Sequence, residues 1–349
     1  MEYRKLGRTG LDVSLVCLGT MTFGEQNTEA EGHAQLDIAR DRGVNFLDAA
    51  ELYPIPPKPE TQGRTEEIVG TWLAKDGNRA RTIVATKVVG RTVMDWFRKD
   101  GSTGELSRAQ TREAVEGSLR RLRTDYIDLY QLHWPDREVS QFGSNPTVFR
   151  PATSEAEHPI HETLEILGEL VTEGKIRHVG LSNESAWGTM RFVAEAEARG
   201  LPRPASIQNA YNLLNRTFET GLAEIALRED VGLLAYSALA QGYLTGKYAD
   251  GALPAGARKT LFDRLQRYET PGAEGAISAY LDLAGEIGWS PAHLALKFAA
   301  TRSFMTSVII GATTTDQLAH DLAAFDQPWS EDIEARVDAI HKVRTSPCP

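Results

Sequence analysis

Short apolar runs and longer helical patterns alternate along almost the whole chain. The apolar runs are rich in β-branched residues and leucine, which is typical of parallel strands covered on both faces. They fall at residues 16–18, 45–48, 83–87, 128–133, 178–182, 206–209, 232–236 and 307–310. The stretches between them place apolar residues three and four positions apart, which predicts helices. Examples are residues 28–42, 108–123, 161–173, 185–199 and 218–228, and glycines stand where such helices should end, at Gly43, Gly174, Gly200 and Gly288.

Eight strand–helix units favour a closed (β/α)8 barrel, the TIM-barrel fold of the α/β class, over a doubly wound open sheet. Parallel strands need crossover connections, and closure removes both exposed edges of the sheet. Ahead of the barrel, residues 3–6 and 13–16 flank the sequence GRTG and predict a small β-hairpin, which we expect at the barrel floor. The chain has neither an internal repeat nor a Gly/Ser linker, so we expect a single domain over residues 1–349.

Three connections are too long to be simple turns: residues 54–64, 134–159 and 238–272. Each follows the carboxyl end of a predicted strand, the face on which barrel enzymes carry their active sites. Long loops at that face predict a walled pocket. Aromatic side chains are candidates for its lining, although packing of loops onto the barrel rim explains each of them equally well: Trp134, Phe142, Phe149, Trp187 and Tyr211.

Composition narrows the classes of function. With 41% hydrophobic and 25% charged residues the chain is globular, and no apolar run is long enough to span a membrane. The formal net charge of −10 argues against nucleic-acid binding, which depends on clustered Lys and Arg. The polar N-terminal segment lacks the apolar core of a secretory signal, and there are only two cysteines. We therefore expect a cytoplasmic protein, and a local basic pocket for an anionic small ligand stays compatible with the overall charge.

Four polar side chains leave three successive strands of the predicted barrel. Asp48 ends the second strand and Tyr53 follows it. Lys87 ends the third strand and His133 ends the fourth. Taken singly, each has an ordinary explanation: a turn-initiating acid, a rim aromatic, a solvated lysine, or a histidine bonded to a backbone carbonyl. Because neighbouring strands bring their ends together, we expect the four groups within hydrogen-bonding reach of one another.

This combination of groups is suited to proton donation to a carbonyl. A phenol is a poor acid at neutral pH, and a nearby ammonium favours the phenolate and lowers the pKa of the phenol. We therefore expect Lys87 to activate Tyr53 as the general acid. Asp48 would keep the buried lysine charged, and His133 would hydrogen-bond the carbonyl oxygen of the substrate.

Eight segments of the chain, in order, resemble the signatures of the aldo-keto reductases. They are LGTMTFG (18–24), FLDAAELY (46–53), IVATK (83–87), SLRRLRTDYIDLYQLHWPD (118–136), GKIRHVGLSN (174–183), IQNAYNLLNR (207–216), LTGKY (244–248) and VIIGATTTDQL (308–318). One such segment is weak evidence, whereas eight in register over nearly the whole chain are strong. The proline-rich YPIPPKPETQGRTEEIVG (53–70) is similar to the bacterial Tas-type branch, NADP(H)-dependent reductases related to the potassium-channel β subunits.

The resemblance implies hydride transfer from NADPH to an aldehyde or ketone, with a catalytic tetrad of Asp48, Tyr53, Lys87 and His133. It also implies a set of cofactor contacts. The nicotinamide carboxamide would be held by Ser182, Asn183 and Gln208, and Tyr236 would stack on the ring. The pyrophosphate would be covered by the loop that carries Ser237, Leu239, Gln241, Gly242 and Lys247, with Arg258 near the adenosine phosphate. The adenosine end would lie at a helix N-terminus, on Gly311, Thr313, Thr314, Thr315, Gln317 and Asp321.

The adenosine end departs from the family pattern at two places. The family often ends this motif with Glu-Asn where the chain has His320 and Asp321, and relatives carry a basic residue where Gln317 stands. The chain also lacks a G-x-G-x-x-G fingerprint, because no two of its glycines lie two positions apart. The expectation of dinucleotide binding therefore rests on the family resemblance.

Two other classes of function compete with a reductase. A regulatory subunit that binds NADPH, senses redox state and docks a partner would keep the same nucleotide site, although an intact tetrad favours catalysis. A metal-dependent barrel hydrolase would need paired histidines, and the chain has no H-x-H or H-E-x-x-H motif. No metal site is therefore expected. Neither the physiological substrate nor the oligomeric state follows from the sequence.

Overall fold

A computed structural model describes residues 1–140, 148–149, 151–153, 156–263 and 266–349. An antiparallel hairpin opens the chain, formed by β1 (Tyr3–Lys5) and β2 (Asp12–Ser14). The strands that follow are β3 (Val16–Gly19), β4 (Phe46–Asp48), β5 (Ile83–Val88), β6 (Ile127–Leu132), β7 (Ile176–Ser182), β8 (Pro204–Ala210), β9 (Gly232–Tyr236) and β10 (Met305–Ile310).

Within the described residues, β3 to β10 form a closed parallel barrel of eight strands. Each strand pairs with the next along the chain, and β10 closes the barrel by pairing with both β3 and β9. The predicted (β/α)8 barrel and its N-terminal hairpin are therefore confirmed. Every predicted strand overlaps an observed one, and their ends differ by at most two residues, because backbone pairing continues beyond the apolar run.

Helices lie between and after the strands of the barrel. They are α1 (Glu29–Asp41), α2 (Arg64–Leu73), α3 (Arg108–Leu122), α4 (Ile160–Thr172), α5 (Ala186–Arg199), α6 (Leu222–Arg228), α7 (Arg258–Phe262), α8 (Ala273–Glu286), α9 (Pro291–Ala300), α10 (Thr315–Ala323) and α11 (Glu331–Val343). The predicted helix over 218–228 is interrupted, since a 3-10 turn at Thr217–Thr220 precedes α6 and Gly221 separates the two.

The hairpin closes the amino-terminal end of the barrel. Leu6 and Val13 are fully buried and pack against side chains inside the barrel, among them Phe46 and Leu129. Gly7 lies so close to β8 that a Cβ there would come within 2.5 Å of the Ala205 carbonyl oxygen. The hairpin therefore fills the amino-terminal opening of the barrel, and the barrel is open toward the carboxyl ends of its strands.

Long loops surround that carboxyl end. They follow β4, β6 and β9, as predicted, and also β5, where residues 89–107 form a wall that the sequence analysis did not identify. No helix in the described part of the chain combines the length and apolarity that a membrane crossing requires. The long loops enclose a cavity at the carboxyl ends of the strands.

Candidate active site

Lys87 lies at the bottom of the open end of the barrel, inside β5, with no exposed surface. Its ammonium donates to Oδ2 of Asp48 at 2.6 Å, to the carbonyl oxygen of Ala49 at 2.9 Å and to the hydroxyl of Tyr53 at 3.4 Å. Burial lowers the pKa of Lys87, but the attraction of Asp48 and Tyr53 outweighs it, so the net pKa is raised. The lysine is therefore a buried cation at neutral pH.

Tyr53 is held above Lys87 by the turn that follows β4. Its backbone nitrogen donates to Ala50 at 3.1 Å, its carbonyl accepts from Gly63 at 3.0 Å, and the Lys87 nitrogen lies 4.8 Å from the ring centroid. Burial raises the pKa of Tyr53, and the lysine offsets only part of that rise. The pKa of Tyr53 is therefore raised, whereas the sequence predicted that it would be lowered. Burial of the phenolate is more unfavourable than its attraction to Lys87 is favourable.

His133 is the first residue after β6 and closes the set. Its ring meets that of Tyr53 edge to face, with the centroids 5.7 Å apart. Burial, together with the charge of Lys87, lowers the pKa of His133 well below its usual range. The imidazole is therefore neutral, with one N–H donor and one acceptor, and its Nδ1 has no hydrogen-bond partner among the described residues.

Two glutamines complete the environment of the carboxylate. Oδ1 of Asp48 accepts hydrogen bonds from Gln208 at 2.9 Å and from Gln131 at 3.1 Å, and Gln208 also donates to Oε1 of Gln131 at 3.1 Å. Gln131 stands opposite Lys87 in the register of β5 and β6. Sequence reasoning missed Gln131, although it lies two residues before His133, a spacing that places both side chains on one face of the strand.

The predicted carboxamide-binding residues lie beside this network. Ser182 ends β7 and faces Gln208 in the register of β7 and β8, and Asn183 follows in the left-handed conformation, with φ of 54°. The amide nitrogen of Asn183 donates to the His133 carbonyl at 2.8 Å and to the Ser182 hydroxyl at 3.1 Å. The Tyr236 hydroxyl donates to the Asn183 amide oxygen at 2.6 Å. The ends of β6 to β9 are thereby tied together.

A cavity of about 2240 Å³ lies above these residues. Its floor includes Asp48, Tyr53 and His133, with Lys87 beneath them. Most of the predicted cofactor residues line it: Ser182, Asn183, Gln208, Tyr236, Ser237, Leu239, Gln241, Gly242, Lys247, Arg258, Gly311, Thr313, Thr314, Gln317 and Asp321. Thr315, the first residue of α10, is the one predicted cofactor residue that is not among the described residues lining the cavity. The volume suits a dinucleotide together with a second molecule, being larger than a typical pocket of roughly 300–1,000 Å³.

Charge is distributed unevenly around this cavity. Arg91 donates to Asp136 at 2.8 Å and Arg137 donates to Glu184 at 3.0 Å, so both are neutralised. At the other end, burial and the neighbouring charge of Arg258 lower the pKa of Lys247. Mutual repulsion of two cations that line one cavity is typical of a site for an anion.

The predicted adenosine end lies at the start of α10. Burial raises the pKa of Asp321 to about 7, and Lys247 opposes that rise. The hydroxyl of Thr314 accepts from the backbone nitrogen of Gln317 at 3.2 Å, which caps the helix. The amide oxygen of Gln317 accepts from the backbone nitrogen of Thr313 at 3.0 Å. The polar atoms of this turn are therefore partly engaged with one another.

Three of the predicted pocket aromatics line the cavity and one does not. Trp134, Phe149 and Trp187 line it, and Phe142 lies outside the described residues. For Tyr211 the alternative of packing holds. Its ring is fully buried and stacks on Phe298 of α9, with the centroids 5.7 Å apart, because it leaves the end of β8 toward the helices.

A second buried ion pair joins two walls of the cavity, and sequence reasoning missed it. Arg98 donates to both oxygens of Glu51, at 2.9 and 3.0 Å, and Oε1 of Glu51 also accepts from the backbone nitrogen of Val89 at 2.8 Å. Neither charged side chain is more than 2% exposed. The pair fastens the 89–107 loop to the turn that carries Tyr53. No local pattern signals a partner 47 residues away.

Comparison with known proteins agrees with this geometry. A model of the Aldo/keto reductase family matches residues 15–342. "Protein tas" of Escherichia coli (strain K12) is 49% identical, with 100% of both chains covered. "Uncharacterized oxidoreductase YrpG" of Bacillus subtilis (strain 168) is 33% identical over 95% of this chain and 94% of its own. "Probable voltage-gated potassium channel subunit beta" of Oryza sativa subsp. japonica is 32% identical over 93% and 92%. The chain therefore belongs to the aldo/keto reductase family.

Proposed function

We propose that the chain is an NADP(H)-dependent reductase of aldehydes and ketones in which Tyr53 is the general acid. Family membership supports the broader statement that it is an oxidoreductase. The observation that carries the finer statement is the position of Lys87, a buried ammonium between Asp48 and Tyr53 beneath the cavity. A proton donor and a cation at the base of a large cavity are the requirements for stabilising a developing alkoxide.

The residues at the ends of β7 and β8 fit a carboxamide. Both hydrogens of the Gln208 amide are used by Asp48 and Gln131, so Gln208 offers only its oxygen to the cavity. Both hydrogens of the Asn183 amide are likewise used within the protein. The Ser182 hydroxyl accepts from Asn183 and keeps its own hydrogen to donate. Two acceptors and one donor match the two N–H groups and the one carbonyl oxygen of nicotinamide carboxamide.

The far end of the cavity fits the anionic part of a dinucleotide. Lys247 and Arg258 line it close enough for each to feel the charge of the other, an arrangement that phosphate groups would relieve. The turn before α10, at Thr313 and Thr314, would receive the adenosine end. The 2′-phosphate of NADPH would add a further anion beside these two cations, which favours NADPH over NADH.

When bound, NADPH supplies the hydride. Neutral His133 orients the substrate by donating an N–H to the carbonyl oxygen. As the carbonyl carbon becomes tetrahedral, Tyr53 transfers its hydroxyl proton to the same oxygen, so the product leaves as an alcohol. Lys87 stabilises the phenolate that remains until water returns a proton, and Asp48 holds Lys87 in place. The 89–107 loop and the aromatic side chains at the rim limit the access of water.

Turnover of a simple aldehyde tests this proposal. The purified protein, mixed with NADPH and 4-nitrobenzaldehyde, is expected to consume NADPH absorbance with saturation in both ligands. Titration of NADPH and NADH, followed by nucleotide fluorescence, is expected to give the lower Kd for NADPH. Equal Kd values would overturn the cofactor preference, and the absence of turnover would overturn the reductase.

A regulatory role is the second candidate, and similarity to the rice channel-subunit relative favours it. A regulatory subunit would bind NADPH as tightly as an enzyme but would oxidise it no faster with an aldehyde than without one. The same two measurements, binding and turnover, therefore separate the two functions.

A further inference from the structure

Arg267 is a cation on the cavity wall that has no anionic partner among the described residues. Its side chain lines the cavity, and Nη1 donates to the hydroxyl of Tyr236 at 3.4 Å. None of the ion pairs among the described residues includes Arg267, and its electrostatic neighbours are Tyr236, Tyr268 and Cys348 rather than carboxylates. Glu155 is the only acidic residue of the chain outside the described ranges. The guanidinium thus faces the cavity with most of its donors unused.

Two other arginines on the walls, Arg91 and Arg137, provide a contrast. Arg91 and Arg137 are each hydrogen-bonded to carboxylates at the end of the cavity that carries Trp134 and Trp187. Withdrawing a guanidinium from water is unfavourable unless an anion compensates for it, and the fold supplies that anion for these two arginines. For Arg267 the compensating anion has to come from a molecule in the cavity.

The surroundings of Arg267 indicate which molecule this is. The next residue, Tyr268, is buried, and Asn212 donates both to its hydroxyl at 3.0 Å and to the carbonyl of Ser237 at 2.9 Å. These hydrogen bonds fix Tyr268, and with it Arg267, close to Ser237, where the loop that follows β9 begins. It also contacts the hydroxyl end of Tyr236, whose oxygen leads through Asn183 to the end of β6.

We propose that Arg267 binds the pyrophosphate of the dinucleotide on its nicotinamide side. The inference rests on the proposed function, in which the nicotinamide lies against Tyr236. In such a dinucleotide a single ribose separates the nicotinamide ring from the first phosphate. Arg267 contacts the hydroxyl of Tyr236, and its side chain is long enough to reach a phosphate at that separation. A guanidinium presents paired N–H donors that match phosphate oxygens. None of the sequence signatures that identify the family includes this residue.

Binding of nucleotide fragments tests the inference without any turnover. Arg267→Met removes the charge at similar length, Arg267→Lys keeps the charge, and Arg191→Met removes one positive charge from the outside of α5 as a matched control. The ligands are NADPH, reduced nicotinamide mononucleotide and 2′,5′-ADP, which lacks the nicotinamide half. Kd is measured by protein and nucleotide fluorescence, with the fragments displacing NADPH, at low and high salt.

Arg267→Met is expected to raise Kd about tenfold to a hundredfold for NADPH and for the mononucleotide, as for loss of a hydrogen bond to a charged group. Its Kd for 2′,5′-ADP should stay within about twofold of wild type, and NADPH binding should become less sensitive to salt. The Kd of Arg267→Lys for NADPH should fall between those of wild type and Arg267→Met. The Kd of Arg191→Met should match that of wild type.

Tyr236→Phe separates binding from positioning. If Arg267 acted only by orienting Tyr236, removing that hydroxyl would reproduce the full loss and the salt response of Arg267→Met, which would overturn the inference. Equal NADPH binding by Arg267→Met and wild type, or an equal loss for 2′,5′-ADP, would also overturn it while leaving the proposed function intact. A wild-type protein that binds no nicotinamide dinucleotide would overturn both.

Discussion

The side-chain amide of Gln208 donates a hydrogen bond to Oδ1 of Asp48 at 2.9 Å. Gln208 faces the cavity where the nicotinamide is proposed to lie, and Asp48 holds the lysine beneath the proposed acid. One carboxylate therefore connects the proposed cofactor site with the proposed proton donor. Gln131 donates to the same oxygen but is fully buried and does not line the cavity, so the chain itself offers a comparison between the two roles.

Replacing each glutamine with leucine should separate those roles. Gln131→Leu removes the hydrogen bond that Gln131 donates to Asp48 and the one that it accepts from Gln208, but no group that lines the cavity. We therefore expect kcat to fall about tenfold while Kd for NADPH stays within about twofold of wild type. Gln208→Leu also removes the oxygen offered to the carboxamide, so kcat should fall and Kd should rise, each about tenfold. Fluorescence titration and single-turnover rates measure the two quantities. Identical Kd values for the two variants would show that Gln208 has no separate contact with the cofactor.

Tyr53→Phe should reduce carbonyl turnover by about a hundredfold or more, because it removes the proton and keeps the ring. NADPH should bind this variant with nearly the wild-type Kd.

The pH profile of the wild-type protein follows from the pKa of Tyr53, which burial raises. An acid acts in its protonated form, so kcat for reduction should stay flat from about pH 7 to about pH 9 and fall only above about pH 10. Oxidation of the corresponding alcohol needs the phenolate, so the rate of oxidation should rise with pH where the rate of reduction falls. A reduction rate that halves near neutral pH would contradict this assignment.

The buried pair of Arg98 and Glu51 should matter strongly for stability. Arg98→Met leaves the Glu51 carboxylate buried without its partner, which should lower the free energy of unfolding by about 3–5 kcal/mol. The double variant Arg98→Met/Glu51→Gln should recover part of that loss, since no uncompensated charge remains. Urea denaturation followed by circular dichroism measures both. Arg228→Met, which breaks an exposed pair with Glu224, is the control and should change stability little.

Asp321 should make the adenosine end sensitive to pH. Its pKa of about 7 means that the carboxyl is neutral below that pH and anionic above it. Kd for NADPH should therefore rise as the pH increases through 7, because the carboxylate repels the adenosine phosphates. Asp321→Asn should remove this step, and NADH, which lacks the 2′-phosphate, should show a smaller one. Titrations at several pH values check the expectation, and an unchanged step in the variant would assign it to another group.

The same shift has a consequence for stability without ligand. The pKa of Asp321 is higher in the folded protein than in the unfolded chain, so the folded state binds more protons between about pH 4 and pH 7. Its contribution to stability is therefore complete below that range and is lost as the pH rises through 7. The difference in urea midpoint between wild type and Asp321→Asn should follow this trend.

The barrel could be predicted from the sequence because burial on both faces leaves a continuous apolar run at every strand. The same topology places Asp48, Lys87 and His133 at neighbouring strand ends, so their proximity also follows from strand order. The direction in which a side chain leaves a strand end does not follow from strand order, which is why two explanations stayed open for Tyr211. The pKa of Tyr53 was misjudged because spacing shows that a lysine is near but does not show how completely water is excluded.

Contacts distant in sequence were the other limit. The partner of Glu51 comes from a loop without a periodic pattern. That Arg267 has no carboxylate partner among the described residues can be seen only from their positions in three dimensions. Both depend on the paths of loops, which single-residue preferences do not determine.

The hairpin that closes the barrel floor also limits the route by which protons from solvent can reach Lys87 and Asp48. With Leu6 and Val13 filling the lower opening, the lysine and carboxylate at the barrel centre communicate with bulk solvent only through the upper one. A ligand that occupies the upper opening therefore isolates them from the aqueous phase. In the proposed function, the phenol of Tyr53 would then regain its proton only after the product has left, so the closed floor would set the order of events.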